Sequence, residues 1–121
     1  MIKLVYCIHR RPDVPPEAFH AYWLNEHGPK VRAVAEAIRA RRYVQSHTIA
    51  PEMNEVFRQS RGLAPGYDGI TEIWWDSEAD LQAGTQTEEG LAAAKLLLED
   101  EAGFIDFSRS AIFLTTEHEI F

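Results

Sequence analysis

Two adjacent tryptophans, Trp74 and Trp75, close the strand-like run GITEIWWD at residues 69–76. Side chains alternate along a strand, so the pair must point to opposite faces of any sheet that holds it. The other strand-like runs are equally two-sided. Ile2, Leu4, Tyr6 and Ile8 alternate with Lys3, Val5, Cys7 and His9, and Tyr43, Gln45, His47 and Ile49 alternate with Arg42, Val44, Ser46 and Thr48. Bulky apolar groups on both faces require cover on both. Contiguous apolar surface left open marks an interaction site.

The order of elements says what covers one face. IKLVYCIHR (2–10) reads as a strand. Pro16 and Glu17 suit a first helical turn. The helix they open runs to about His27, where Gly28-Pro29 is expected to interrupt it before a second helical piece. RYVQSHTI (42–49) is a second strand, and the long connection 51–67 carries a short helix near Asn54–Gln59. After the third strand, Thr85 and Glu88 form a capping box for a helix with Leu91, Ala94, Leu98 and Ala102 on one stripe. FSRSAIFLTTEH (107–118) is the fourth strand. This β-α-β-β-α-β order predicts an α+β fold, a ferredoxin-like βαββαβ sandwich with a four-stranded antiparallel sheet and both helices on one face. At 121 residues the chain reads as one domain, 1–121. The economical cover for the second sheet face is another copy, so a homodimer is expected.

Composition removes several function classes. A net charge of −7 argues against nucleic acid, which demands a concentrated basic surface. The one basic cluster, Arg39, Arg41 and Arg42, lies where cations complement a helix C-terminus. No apolar run approaches the roughly 18 residues of a membrane span, and the first residues lack a signal-peptide layout, so a cytoplasmic protein is expected. Cys7 stands alone, which excludes an internal disulfide. The five histidines show no close-spaced metal-binding pair, and neither a phosphate loop nor a nucleophile elbow appears. No metal and no cofactor are expected.

The stretch EAFHAYWLNEHGPKV (17–31) carries the chemistry. Phe19, Tyr22, Trp23, Glu26 and His27 recur at helical spacing, which serves a core or a pocket wall equally well. His27 either ends the helix, where a protonated ring suits the dipole, or works as a general acid or base. Tyr22 either packs or holds a ligand oxygen through its hydroxyl. On the strands, His9, Tyr43, His47, Glu72 and Trp74 form a mixed set suited to an apolar pocket with a few polar groups. Glu72 is either a raised-pKa acid or half of an inter-strand pair.

FHAYWLNEHGPKV resembles the signature of the EthD family, a Phe-x-x-Tyr-Trp segment followed by His and Pro. YDGITEIWWDSEADL resembles its strand-then-helix segment, and EDEAGFIDFSRSAIFLTTEHEIF resembles its Asp-Glu, Phe-Ile-Asp and final strand. The resemblance covers nearly the whole chain and implies a dimeric α+β barrel. It implies a small cofactor-free enzyme acting on a hydrophobic, hydroxylated aromatic or polyketide-like molecule, by oxidoreductase (monooxygenase) or dehydratase and cyclase chemistry. His27, matching the family's His, would move a proton and Tyr22 would hold an oxygen. By the reading of the helix and strand faces, Phe19, Trp23, His9, His47, Glu72 and Trp74 would contact the substrate. The alternatives are a non-catalytic binding or accessory protein for a hydrophobic metabolite, and a haem protein, which would need an axial ligand.

Overall fold

The computed structural model describes residues 1–121 throughout. Four antiparallel strands, β1 (Ile2–Ile8), β2 (Arg42–His47), β3 (Gly69–Trp75) and β4 (Ala111–Thr115), lie in the order β2-β3-β1-β4. This is the ferredoxin-like order, with β1 and β3 central and β2 and β4 at the edges. β4 is shorter than expected from sequence. Phe107–Arg109 winds into a 3-10 turn instead, and the Asp106 carboxylate accepts from the Ser108 amide at 3.1 Å to cap it.

The register settles which side chains share a face. Tyr43, Ile73 and Leu4 stand in line, as do Gln45, Thr71 and Tyr6. These residues, with Ile8 and Trp75, face the helices, where Ile8 and Trp75 are buried. Lys3, Trp74 and Arg42 align on the other face, with Val5, Glu72 and Val44 beside them. The two tryptophans therefore do point apart. The Trp75 indole donates to the Ile38 carbonyl at 2.8 Å, while the Arg42 guanidinium lies 4.6 Å over the Trp74 ring on the open face.

The expected break at Gly28-Pro29 is absent. Helix α1 (Pro16–Tyr22) passes into α2 (Gly28–Val34) through one π-helical stretch, Trp23–His27. The Gly28 amide bonds five residues back, to the Trp23 carbonyl, and Pro29, which has no N–H to donate, follows directly on this widened turn, which lets the helix continue past it. The wider turn keeps Phe19, Trp23 and His27, each four residues apart, all buried. Gly69 in β3 makes room for this, since a side chain there would collide with the Trp23 ring.

Helix α5 (Glu88–Glu101) corrects a second expectation. Leu91 and Leu98 are both 57 % exposed, whereas Gly90 and Ala93 are buried and Leu97 is half-buried. A Cβ on Gly90 would strike the Gly84 carbonyl, at the end of α4 (Glu78–Gly84). Close packing thus selects the small-residue stripe and leaves the larger leucines outside. The 51–67 connection does hold a helix, α3 (Pro51–Arg61), with no buried residue. The core between sheet and helices is Ile8, Phe19, Trp23, Phe104 and Ile105.

Candidate functional site

The π turn sets His27 in the interior, 5 % exposed, with its ring edge-on to Phe104. Its Nδ1 lies 2.7 Å from Asp100 Oδ2, near the end of α5. The other carboxylate oxygen, Oδ1, accepts from Lys30 Nζ at 2.7 Å and from the Tyr22 hydroxyl. Burial works to raise the Asp100 carboxyl, but the bonds from Lys30, Tyr22 and His27 outweigh it and hold it below its ordinary value. His27 is shifted down, chiefly because burial disfavours its charged form, against the opposing pull of Asp100. A neutral His27 must then donate from Nδ1 to the carboxylate, which leaves Nε2 as the free base.

His27 borders a cavity of about 40 Å³ between sheet and helices. Its other walls include Tyr6, Trp23, Tyr43, Ile73, Leu97 and Glu101. That volume holds a water or two, so a substrate has to part the walls. Val31 and Tyr43 separate the cavity from an outer groove of about 670 Å³ between α2 and the β2 edge, because both residues line both spaces. Glu101 is pushed up to about 7 by burial, with the nearby Tyr6 hydroxyl opposing the shift and the Asp100 charge adding to it.

The candidate residues named from sequence divide into three places. Trp23 and His27 meet at the cavity, with Tyr43 opposite, and Phe19 lies behind them in the core, 5.4 Å from the Trp23 ring. Tyr22 is not a cavity wall. It is spent on Asp100, on the outer side, with Lys30. His47 sits one layer back, stacked on Trp23 at 4.4 Å and joined to His20 through their Nδ1 atoms at 2.8 Å.

The remaining three lie away from the cavity. Glu72 pairs with Lys3 at 2.7 Å on the open face, and Trp74 on that face donates to Glu117 at 2.6 Å. His9 lies beyond β1 against Tyr67, with ring centroids 4.5 Å apart. The mixed strand set is divided because Glu72 pairs with Val44 rather than with Tyr43 or Gln45, one residue of offset that reverses a face. Asp100, Glu101, Lys30 and Tyr6 were not named as site residues from sequence, although Asp100 and Glu101 are the Asp-Glu of the C-terminal segment that resembles the family. Their signal was the Leu97-to-Glu101 spacing, which carries the buried stripe of α5 onto an acid. No group of three His, Cys, Asp or Glu side chains is placed to hold a metal ion.

Comparison with known proteins sets this geometry in a family. The EthD domain matches residues 11–108. An EthD family protein of Bacillus halodurans has 22% identity over 98% of this chain and 99% of its own, with a TM-score of 0.63. A dimeric ferredoxin-like protein of unknown function from Thermobifida fusca has 14% identity over 96% of this chain and 90% of its own, with a TM-score of 0.59. SnoaB from Streptomyces nogalater, a cofactor-independent oxygenase solved as a mutant, has 10% identity over 98% of this chain and 93% of its own, with a TM-score of 0.54. At these identities the likeness is one of fold. No curated protein matches the chain.

Proposed function

We propose that this chain, which belongs to the EthD domain family, is a small acid–base enzyme that needs no cofactor and acts on a hydrophobic, hydroxylated aromatic or polyketide-like molecule. It works as a cytoplasmic homodimer. The observation that carries the reading is His27, a buried imidazole bordering the cavity, whose Nδ1 is held by Asp100 and whose Nε2 is thereby left as the free base. Asp100 fixes the tautomer and steadies the imidazolium that forms when Nε2 takes a proton. Lys30 and Tyr22 keep Asp100 ionised and in place. Aromatic walls, Trp23 and Tyr43, suit a flat ring. The cofactor-independent oxygenase of similar fold supports chemistry without a cofactor in such a frame, and the dimeric relative of similar fold supports the second copy.

A thermal-shift screen against hydroxylated aromatics, short polyketide mimics and haem tests the reading. Ligand at a hundred times its dissociation constant stabilises by about 2.7 kcal/mol. A phenolic or polyketide hit that is turned over by wild-type protein, and not by folded His27→Ala, is the expected result. Binding without turnover across all hits leaves a carrier of such metabolites. A Soret band on haem addition overturns the cofactor-free reading.

A further inference from the structure

Glu101 has no part in the His27 chemistry proposed so far, yet it faces the same cavity. It follows Asp100 in α5, and the helical step of about 100° turns the two carboxyls to different surroundings. Asp100 meets three donors. Glu101 meets apolar walls, Ile8, Ile73, Leu97 and Ile105, with the Tyr6 hydroxyl of β1 against it. The other titratable groups at the cavity are His27 from the π turn and Tyr43 from β2, and no lysine or arginine lines it. A carboxylate without a cation is costly in such a place, so the group keeps its proton well into the neutral range, to about 7.

We infer that Glu101 is a second catalytic residue, the acid that works with the His27 base across one cavity, and that the site moves protons between carbon and oxygen of an uncharged carbonyl compound. The inference rests on the proposed role of the cavity. His27 Nε2 takes a proton from the carbon beside the carbonyl. The C–H electron pair becomes a C=C bond, the carbonyl π pair moves to oxygen, and the Glu101 carboxyl gives its proton to that oxygen. The product is the enol, with an imidazolium at His27 and a carboxylate at Glu101. Reversal with a solvent-exchanged proton on His27 resets both, and nothing is oxidised or reduced. Two groups whose surroundings push their affinities for protons in opposite directions divide acid and base work in this way. An anionic substrate would find no countercharge beside Glu101.

The test uses β-tetralone, an aromatic ketone with acidic hydrogens beside its carbonyl, as the probe. Loss of those signals in deuterated buffer is followed by proton NMR, and binding by thermal shift. Wild-type protein is expected to exchange them faster than buffer, with a pH limb near 7. Glu101→Gln, which keeps shape and neutrality, is expected to bind β-tetralone unchanged, to slow exchange roughly 10²-fold and to lose that limb. Glu101→Asp restores part of the rate.

Exchange by Glu101→Gln at the wild-type rate, with His27→Ala inactive, overturns this inference and leaves the His27 reading standing. Wild-type protein that binds the ketone without exchanging it also overturns the inference, and the cavity remains a binding site. Protein that neither binds nor exchanges it overturns the inference and counts against the cavity as well.

Discussion

Asp100 and Glu101 are consecutive in α5, and their carboxyls are displaced in opposite directions. Asp100 is held below its ordinary value by Lys30, Tyr22 and His27 against the effect of burial, while Glu101 is pushed up to about 7 chiefly by burial. The linkage differs in sign for the two. The folded state binds more protons than the unfolded chain at Glu101 between 4.5 and about 7, so stability falls as pH rises through that window. Glu101→Gln is neutral throughout and escapes the loss. Its stability relative to wild type should rise between pH 4.5 and pH 8 by about 3 kcal/mol at most, the equivalent of the Glu101 displacement. Urea unfolding across this range checks it. Parallel curves for the two proteins would show that Glu101 titrates as an ordinary carboxyl.

Removing Asp100 should cost more than removing its neighbour. Asp100→Ala leaves the His27 Nδ1–H and the Tyr22 hydroxyl without their acceptor. Losing one partner of a buried charged pair costs about 3–5 kcal/mol; Lys30 is partly exposed and can return to water, so the low end applies. His27 is already shifted down by burial, and without Asp100 it should fall further. Histidine ring NMR titration of Asp100→Asn, a gentler change, reads that shift. A rise in the His27 pKa would show that Asp100 does not act on it as a charge.

Much of the fold followed from local rules, and the exceptions have physical causes. The alternation in β1 and β3 was enough to place Trp74 and Trp75 on opposite faces, and the element order was enough for the topology. Register between strands was not readable, because a one-residue offset leaves each strand's own pattern unchanged. That is why Glu72 and Trp74 were grouped with Tyr43 and His47, which lie on the other face. The π turn was hidden because Gly-Pro signals a helix stop unless the preceding turn widens. His27 was legible from its spacing with Trp23. Asp100 was not, since its partners, Tyr22, His27 and Lys30, are at least 70 residues away in sequence.

The His20–His47 contact predicts a second pH response. His47 Nε2 lies 2.8 Å from Gln45 Oε1, and the Gln45 amide nitrogen is donating to the Trp23 carbonyl and the Tyr43 hydroxyl. The His47 ring therefore carries its proton on Nε2, and its Nδ1 accepts from His20 Nδ1. His47 is shifted down by burial first and by His20 second, so stability is full above 6.5 and declines as pH falls below it. His20→Gln should raise the His47 pKa and shallow the acid-side decline, measured by ring NMR and urea unfolding. An unchanged His47 titration would place the entire shift in burial.

The open sheet face predicts the assembly. Phe113 is 49 % exposed and stands beside Val5, and Ile70 and Trp74 lie on the same face. A second copy that covers this face would bury Phe113, and a charge there would be desolvated without a partner. Phe113→Asp should convert a dimer at micromolar concentration into a monomer. In the monomer Phe113 already meets water, so the substitution should change its fold stability by less than about 1 kcal/mol. Size exclusion with light scattering, together with urea unfolding of the variant, separates the two effects. A Phe113→Asp protein that remains dimeric would move the interface to another apolar surface, such as α3, where Met53, Val56 and Phe57 are more than half exposed.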